Sequence, residues 1–285
     1  SIGREAGSTG EVTVMDAGST WTNNENLVIG RFGSGSLDIL DGGAVTSRNG
    51  LIGLETGSDG SVNVSGAGSQ WLNDAGLTIG RDGDGELTIA EGALVSAPNG
   101  VTLAAAVGSS GTLNIGAADG DSAAAAGTLD TPTLAFGDGT GTLVFNHTDS
   151  DYTFAPLING SAGNINVLSG TTTLSAINTY TGNTTIYGGT LGVTGELGGN
   201  LQVNNGALAI TDGGVVNSTG GSAVGLDPGD SGEVSVSGAG SQWVNSGAFY
   251  VGRFGTGSLS ILNGGKIENT VGFIEHYFRG VFGTF

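Results

Sequence analysis

Glycines at positions 10, 35, 60 and 85 recur every 25 residues, and each is followed two and four places on by an apolar pair: Val12/Val14, Leu37/Ile39, Val62/Val64 and Leu87/Ile89. The phrase returns at wider spacing as Gly111, Leu113 and Ile115, then as Gly141, Leu143 and Phe145. A period of this size belongs to solenoids and arrays, whose units cannot bury an apolar face alone and must stack. Apolar residues alternating with Ser, Thr and Asn follow the two-residue period of strands. Composition excludes helix, because 58 of the 285 residues are glycine, each costing about 1 kcal/mol in a helix interior, and β-branched residues dominate the remainder. The chain therefore reads as all-β, a parallel β-helix solenoid of about 25 residues per coil. Each coil holds three short strands, with Val, Leu and Ile columns inside and Gly, Asn and Asp turning the corners at positive φ. At that coil length the chain makes about 11 coils, a rod of roughly 55 Å at the spacing of parallel strands.

Pairs of coils form a larger copy. Segments beginning at Gly10, Gly60 and Gly232 align so that Trp21, Trp71 and Trp243 share one slot and Arg31, Arg81 and Arg253 another. Residues 1–110 and 232–285 carry these display-type repeats, residues 111–231 hold less regular coils, and 1–285 reads as one continuous β-helix. Ile2, Gly3, Glu5 and Gly7 match Ile52, Gly53, Glu55 and Gly57, while Gly272 and Ile274 match Gly50 and Ile52, so both ends fall inside a repeat. The expectation is a segment of a longer rod, with the bulky run Phe278–Phe285 as an alternative lid on the last coil.

Charge narrows the partners. There are 26 acidic and 7 basic residues, a net charge of −19, and the basic side chains are scattered singly. Nucleic acid is excluded as a partner, since phosphate neutralisation needs clustered Lys and Arg. No apolar run approaches the ~18 residues of a membrane helix, and no secretory signal opens the sequence. The absence of cysteine suits a chain that must stay unlinked while crossing an oxidising compartment.

Between the repeat blocks lies a different phrase, Asn178-Thr-Tyr-Thr-Gly182 followed by Thr184-Thr-Ile186 and Gly188-Gly-Thr-Leu191, within residues 174–193. It resembles the passenger-associated transport repeat of bacterial type V autotransporters, and the Gly-Ser-x-Trp units around it resemble their passenger domains. The resemblance implies a right-handed parallel β-helix, exported through its own outer-membrane β-barrel, which this sequence does not include. It also implies an extracellular location at the bacterial cell surface, anchored to the outer membrane or released, and a role in adhesion, aggregation or biofilm formation. Physically, Thr and Asn at successive coils are placed to stack into hydrogen-bonded ladders, with Ile186, Leu191 and Val193 as local core.

Candidate sites are few. Gly229-Asp-Ser-Gly232 matches the nucleophile motif of chymotrypsin-like proteases, but its slot is filled elsewhere by Gly7–Gly10, Gly57–Gly60 and Gly108–Gly111, which makes it a turn between coils; only His147 and His276 exist to complete a triad. Asp119, Asp121, Asp130, Asp138, Asp149 and Asp151 crowd around His147, the carboxylate pattern of a glycan-cleaving site, yet no Lys or Arg lies between Arg81 and Arg253 to assist. Asp82, Asp84 and Glu86 begin like a calcium loop but lack its glycine and closing acid. No catalytic, cofactor or metal residue is assigned. Trp21, Trp71 and Trp243 are the binding candidates, as stacked sugar platforms, if they face outward. The alignment of Trp21 with Val45 instead puts them in the interior column. The arginines of the shared slot are expected to pair with acids such as Glu55 on the adjoining coil.

The function expected from this reading is a non-enzymatic surface rod that associates with copies of itself on neighbouring cells or with host-cell or matrix surfaces. The alternative is an enzymatic passenger with a glycan or protein substrate and a site in residues 119–151.

Overall fold

The structure, a computed structural model, describes residues 1–274; Phe278–Phe285, His276 and Arg279 lie outside the described residues. These described residues contain no helix. Strands pair in parallel, and the chain divides into two compact units, one of residues 1–149 and 156–163, the other of 150–155 and 164–285.

The first unit is a three-sided parallel solenoid. One wall stacks the long strands Thr9–Met15, Ser34–Leu40, Asp59–Ser65, Asp84–Ala90, Ser110–Gly116 and Thr140–Asn146, with Gly10, Gly35, Gly60, Gly85, Gly111 and Gly141 in register. The period read from the sequence is thus the coil length. A second wall runs from Thr20–Thr22 to Thr128–Asp130 and a third from Leu27–Ile29 to Leu157–Gly160. Side chains that alternate along each strand fall into interior columns, such as Ile39, Val64, Ile89, Ile115 and Phe145, all with no exposed surface. Burial on this scale, at ~25 cal/mol per Å² of apolar surface, is what closes a structure with so few charges to pair.

One glycine shows why the spacing is strict. Gly80 has φ of 73°, and a Cβ placed there would lie 1.9 Å from the carbonyl oxygen of Ser110 on the next coil. The Ile-Gly steps before Arg31 and Arg81 turn the chain where two coils touch backbone to backbone, and only glycine meets both requirements.

The second unit is also a parallel solenoid, but its first coils are shorter than 25 residues. Asn164 pairs with Asn183 and Asn183 with Asn200, coils of 19 and 17 residues. From Gly206 to Gly232 to Gly257 the length returns to 26 and 25. The strand Gln242–Val251 turns a corner, pairing first with Val215–Ser218 and then with Ser222–Val224.

Candidate functional site

The tryptophan slot points inward. Trp21 pairs with Val45, and Val45 and Val95 flank Trp71, while Val216 and Ile267 flank Trp243. Trp71 and Trp243 have no exposed surface and Trp21, on the first coil, is half-buried. Burial overturns the sugar-platform reading of Trp71 and Trp243, as the alignment with Val45 anticipates. Their indole N–H groups are satisfied within the core: Trp71 Nε1 donates to Ser47 Oγ at 3.1 Å, which donates to Asn73 Oδ1 at 2.8 Å. Trp243 Nε1 likewise donates to Ser218 Oγ at 2.9 Å. Ser47, Asn73 and Ser218 are all buried, so each large ring brings a buried polar partner with it, as buried polar groups require; the buried Asn245 accepts instead from Ser222 Oγ at 3.0 Å. The Trp-x-Asn pairing in all three copies is a signal for this network that strand patterning alone does not interpret. Trp71 also occupies the space above Gly50, where a Cβ would sit 2.6 Å from the ring.

The slot arginines do not reach the adjoining coil's acids. Arg81 pairs with its own neighbour Asp82 at 2.7 Å, Arg31 lies over the Phe32 ring at 5.3 Å, and Arg253 lies over both Tyr250 and Phe254. Among the described residues, no ion pair involves Glu55. In each case the guanidinium is taken by groups close in sequence, Asp82, Phe32, or Tyr250 and Phe254.

Gly229-Asp-Ser-Gly232 is a turn. Gly229, Gly7, Gly57 and Gly108 all have positive φ, and Asp230 Oδ2 accepts from Asp227 N at 3.0 Å as Ser58 Oγ accepts from Glu55 N at 3.1 Å. Ser231 opens a strand, and no histidine lies among the described residues of this unit. Asp230 is thus a turn cap, not part of a nucleophile elbow.

The acidic region is an insertion clipped to the next coil. Residues 117–127 leave the corner after Ser110–Gly116; Asn146 Nδ2 donates to the carbonyls of Ala118 and Asp121 at 2.9 and 3.0 Å, and Asp149 Oδ2 accepts from Ala126 N at 2.8 Å. His147 is fully buried beside Ala124, and burial holds its pKa below the ordinary value despite the Asp149 carboxylate, which raises it. Asp119, Asp121, Asp138 and Asp151 are exposed, Asp130 accepts from Ser96 Oγ at 3.3 Å, and Asp149 serves the backbone. Asp130 ends the strand Thr128–Asp130, and the other five carboxylates lie outside strands. Among the described residues no three His, Asp or Glu side chains converge as metal ligands would. Glu86 of the calcium-like run instead accepts from Asn114 Nδ2 at 2.8 Å.

The Asn-Thr-Tyr-Thr-Gly phrase builds core as well as a ladder. Asn200 Nδ2 donates to Asn183 Oδ1 at 3.1 Å and Asn183 Nδ2 to Asn164 Oδ1 at 3.5 Å, the stacked amides that the sequence predicts. Tyr180, which patterning misses, is fully buried with its hydroxyl on Thr184 Oγ1, and burial pushes its pKa far above the phenol range. Asn178, also buried, donates to the carbonyls of Ala176 and Glu196 at 3.1 and 3.0 Å.

No family model and no solved structure matches the chain. The uncharacterized lipoprotein YdeK of Escherichia coli (strain K12) is 40% identical over 109 residues, 33% of this chain and 8% of the relative. The adhesin BmaC autotransporter of Brucella suis biovar 1 (strain 1330) is 35% identical over 101 residues, 35% of this chain and 3% of the relative. Over part of its length, the chain is a homologue of an autotransporter adhesin. Its β-solenoid is consistent with an autotransporter passenger domain, and the two relatives together suggest a cell-surface or outer-membrane location. The chain spans under a tenth of the length of either relative.

Proposed function

We propose that the chain is a segment of a surface-displayed autotransporter passenger that works without catalysis, its walls contacting copies on neighbouring cells or host-cell and matrix surfaces. The observation that carries this reading is the composition of the outward rows. On the long wall of the first unit, Ser36, Ser61, Glu86, Thr112 and Thr142 follow one another on successive coils, and so do Asp38, Asn63 and Thr88. Short hydroxyl and amide groups repeated at strand spacing offer many weak, identical contacts. Such contacts sum through multivalency when many rods stand on one cell, even where an isolated pair is barely measurable. The matched adhesin supports the same reading.

Display of the chain in its native passenger on a non-aggregating bacterium tests it. Expected are faster settling of the culture and greater retention on matrix-coated surfaces than for cells displaying the passenger without residues 1–274. Equal settling and equal retention reject the adhesive role.

A further inference from the structure

One outward row of the second unit differs from the polar rows described above. In register on neighbouring strands, Gln202, Ala223, Tyr250 and Phe273 follow one another, alternating with the interior residues Val203, Val224 and Val251; Ala223 is buried, while Gln202, Tyr250 and Phe273 keep exposed surface. Tyr250 and Phe273 stack with centroids 5.0 Å apart and planes at 11°. The Arg253 guanidinium lies 4.6 Å from the Tyr250 centroid and 5.1 Å from that of Phe254. Phe273 is 40% and Phe254 55% exposed.

Packing does not explain this patch, because the interior beneath it is already filled by Phe249, Val251 and Trp243. Nor is its charge cancelled among the described residues. Arg81, in the same repeat slot, is neutralised by Asp82, whereas the residue after Arg253 is Phe254, and among the described residues Arg253 makes no ion pair. A guanidinium laid on aromatic rings keeps its N–H edge for hydrogen bonding, and that fork matches a carboxylate bidentately. Exposed ring surface suits the C–H face of a pyranose, and the Gln202 amide suits hydroxyls.

We propose that Tyr250, Arg253, Phe254 and Phe273 form a binding patch for a carboxylate-bearing polysaccharide, a uronate carboxylate seated on Arg253 and the sugar ring on the exposed phenylalanines. This rests on the adhesive reading of the chain and names one partner class for it.

Isothermal titration of the purified chain with oligogalacturonate, in EDTA to remove calcium bridging, tests the patch. Expected is binding that weakens about tenfold or more on methyl esterification of the sugar and equally on Arg253→Gln, as loss of a bidentate ionic contact requires. Phe254→Ala weakens it severalfold, and Arg31→Gln, in the first unit, leaves it unchanged. Each variant keeps the parent circular dichroism spectrum, because the altered side chains lie on the outer wall. Undetectable binding, equal binding of acid and ester, binding undiminished by Arg253→Gln, or equal binding of oligoglutamate overturns the proposal. The titration reads the patch and the settling assay reads adhesion: cells that clump while the purified chain ignores the uronate remove only the patch.

Discussion

At the residue scale, the tryptophan slot is where core packing and polar satisfaction meet. Trp71 fills the room above Gly50 and anchors Ser47 and Asn73. Trp71→Ala leaves a cavity and takes from the Ser47 hydroxyl, still donating to Asn73, the bond it accepts from the indole, so it is expected to cost about 3 to 5 kcal/mol, the range for large-to-small core changes, less whatever local opening of a coil relieves. Trp71→Phe keeps most of the volume and loses only the hydrogen bond from the indole to Ser47, so it is expected to cost about 1 kcal/mol, the net contribution of one hydrogen bond. Denaturant unfolding of the two variants checks the order; equal losses would mean that filling the space above Gly50 adds nothing beyond the Ser47 hydrogen bond. Tyr180 is the counterpart in the second unit. Its hydroxyl is buried and neutral, with a raised pKa, so its contribution is full below the ordinary phenol value of about 10 and is lost as pH rises beyond it, where the unfolded chain ionises first.

At the element scale, repeated strands are legible in the sequence and their exceptions are not. The Gly10 to Gly85 phrases predict the walls of the first unit because a period-two pattern with a fixed glycine leaves one register that buries its apolar face. The same reasoning, carried over to residues 164–210, overstates coil length. Amide ladders through Asn164, Asn183 and Asn200 and the Tyr180 plug hold short coils that apolar spacing alone does not signal. The arginine contacts depart from expectation for a related reason: pairing rules specify which coils meet, and side-chain length decides who reaches whom. The acidic insertion reads in sequence as a possible cleft, and only its hydrogen bonds to Asn146 and Asp149 show a clipped flap. That clip is expected to loosen in acid. His147 has a folded pKa below its unfolded value of about 6.5, so stability is full above that value and falls as pH drops towards the folded pKa, where the unfolded state binds the proton first. Limited proteolysis, with a protease active across the range, should cut residues 117–127 faster at pH 5 than at pH 7.5. A His147→Gln variant, which has no proton to take up, should lose most of that difference; an unchanged pH ratio in the variant would place the sensitivity elsewhere.

At the scale of the whole molecule, charge and contact chemistry oppose each other. The outward rows of Ser, Thr and Asn favour copies packed side by side, yet each copy carries −19, and like-charged surfaces repel over a Debye length of about 10 Å at 0.1 M salt and about 30 Å at 0.01 M. If the contacts were ion pairs, salt would weaken association; if they are hydrogen-bonding groups repeated on successive coils, salt removes the only long-range term and association strengthens. The sequence disfavours the first case, because 7 basic residues cannot match 26 acidic ones, and of the basic residues described, Arg4, Arg81 and Lys266 are already paired within the chain. Sedimentation velocity on the purified chain is therefore expected to show self-association growing as sodium chloride is raised from about 0.01 to 0.3 M, a range that shortens the screening length several-fold. Calcium should act at lower concentration than sodium, since a divalent ion both screens and bridges exposed carboxylates on neighbouring copies. A sedimentation profile that stays monomeric throughout, at the highest concentrations attainable, would remove contact between copies from the adhesive reading and leave attachment to a foreign surface as the remaining route. Dissociation with rising salt would instead show that specific charge pairs hold the copies together, and the hydroxyl and amide rows would then have no part in the contact.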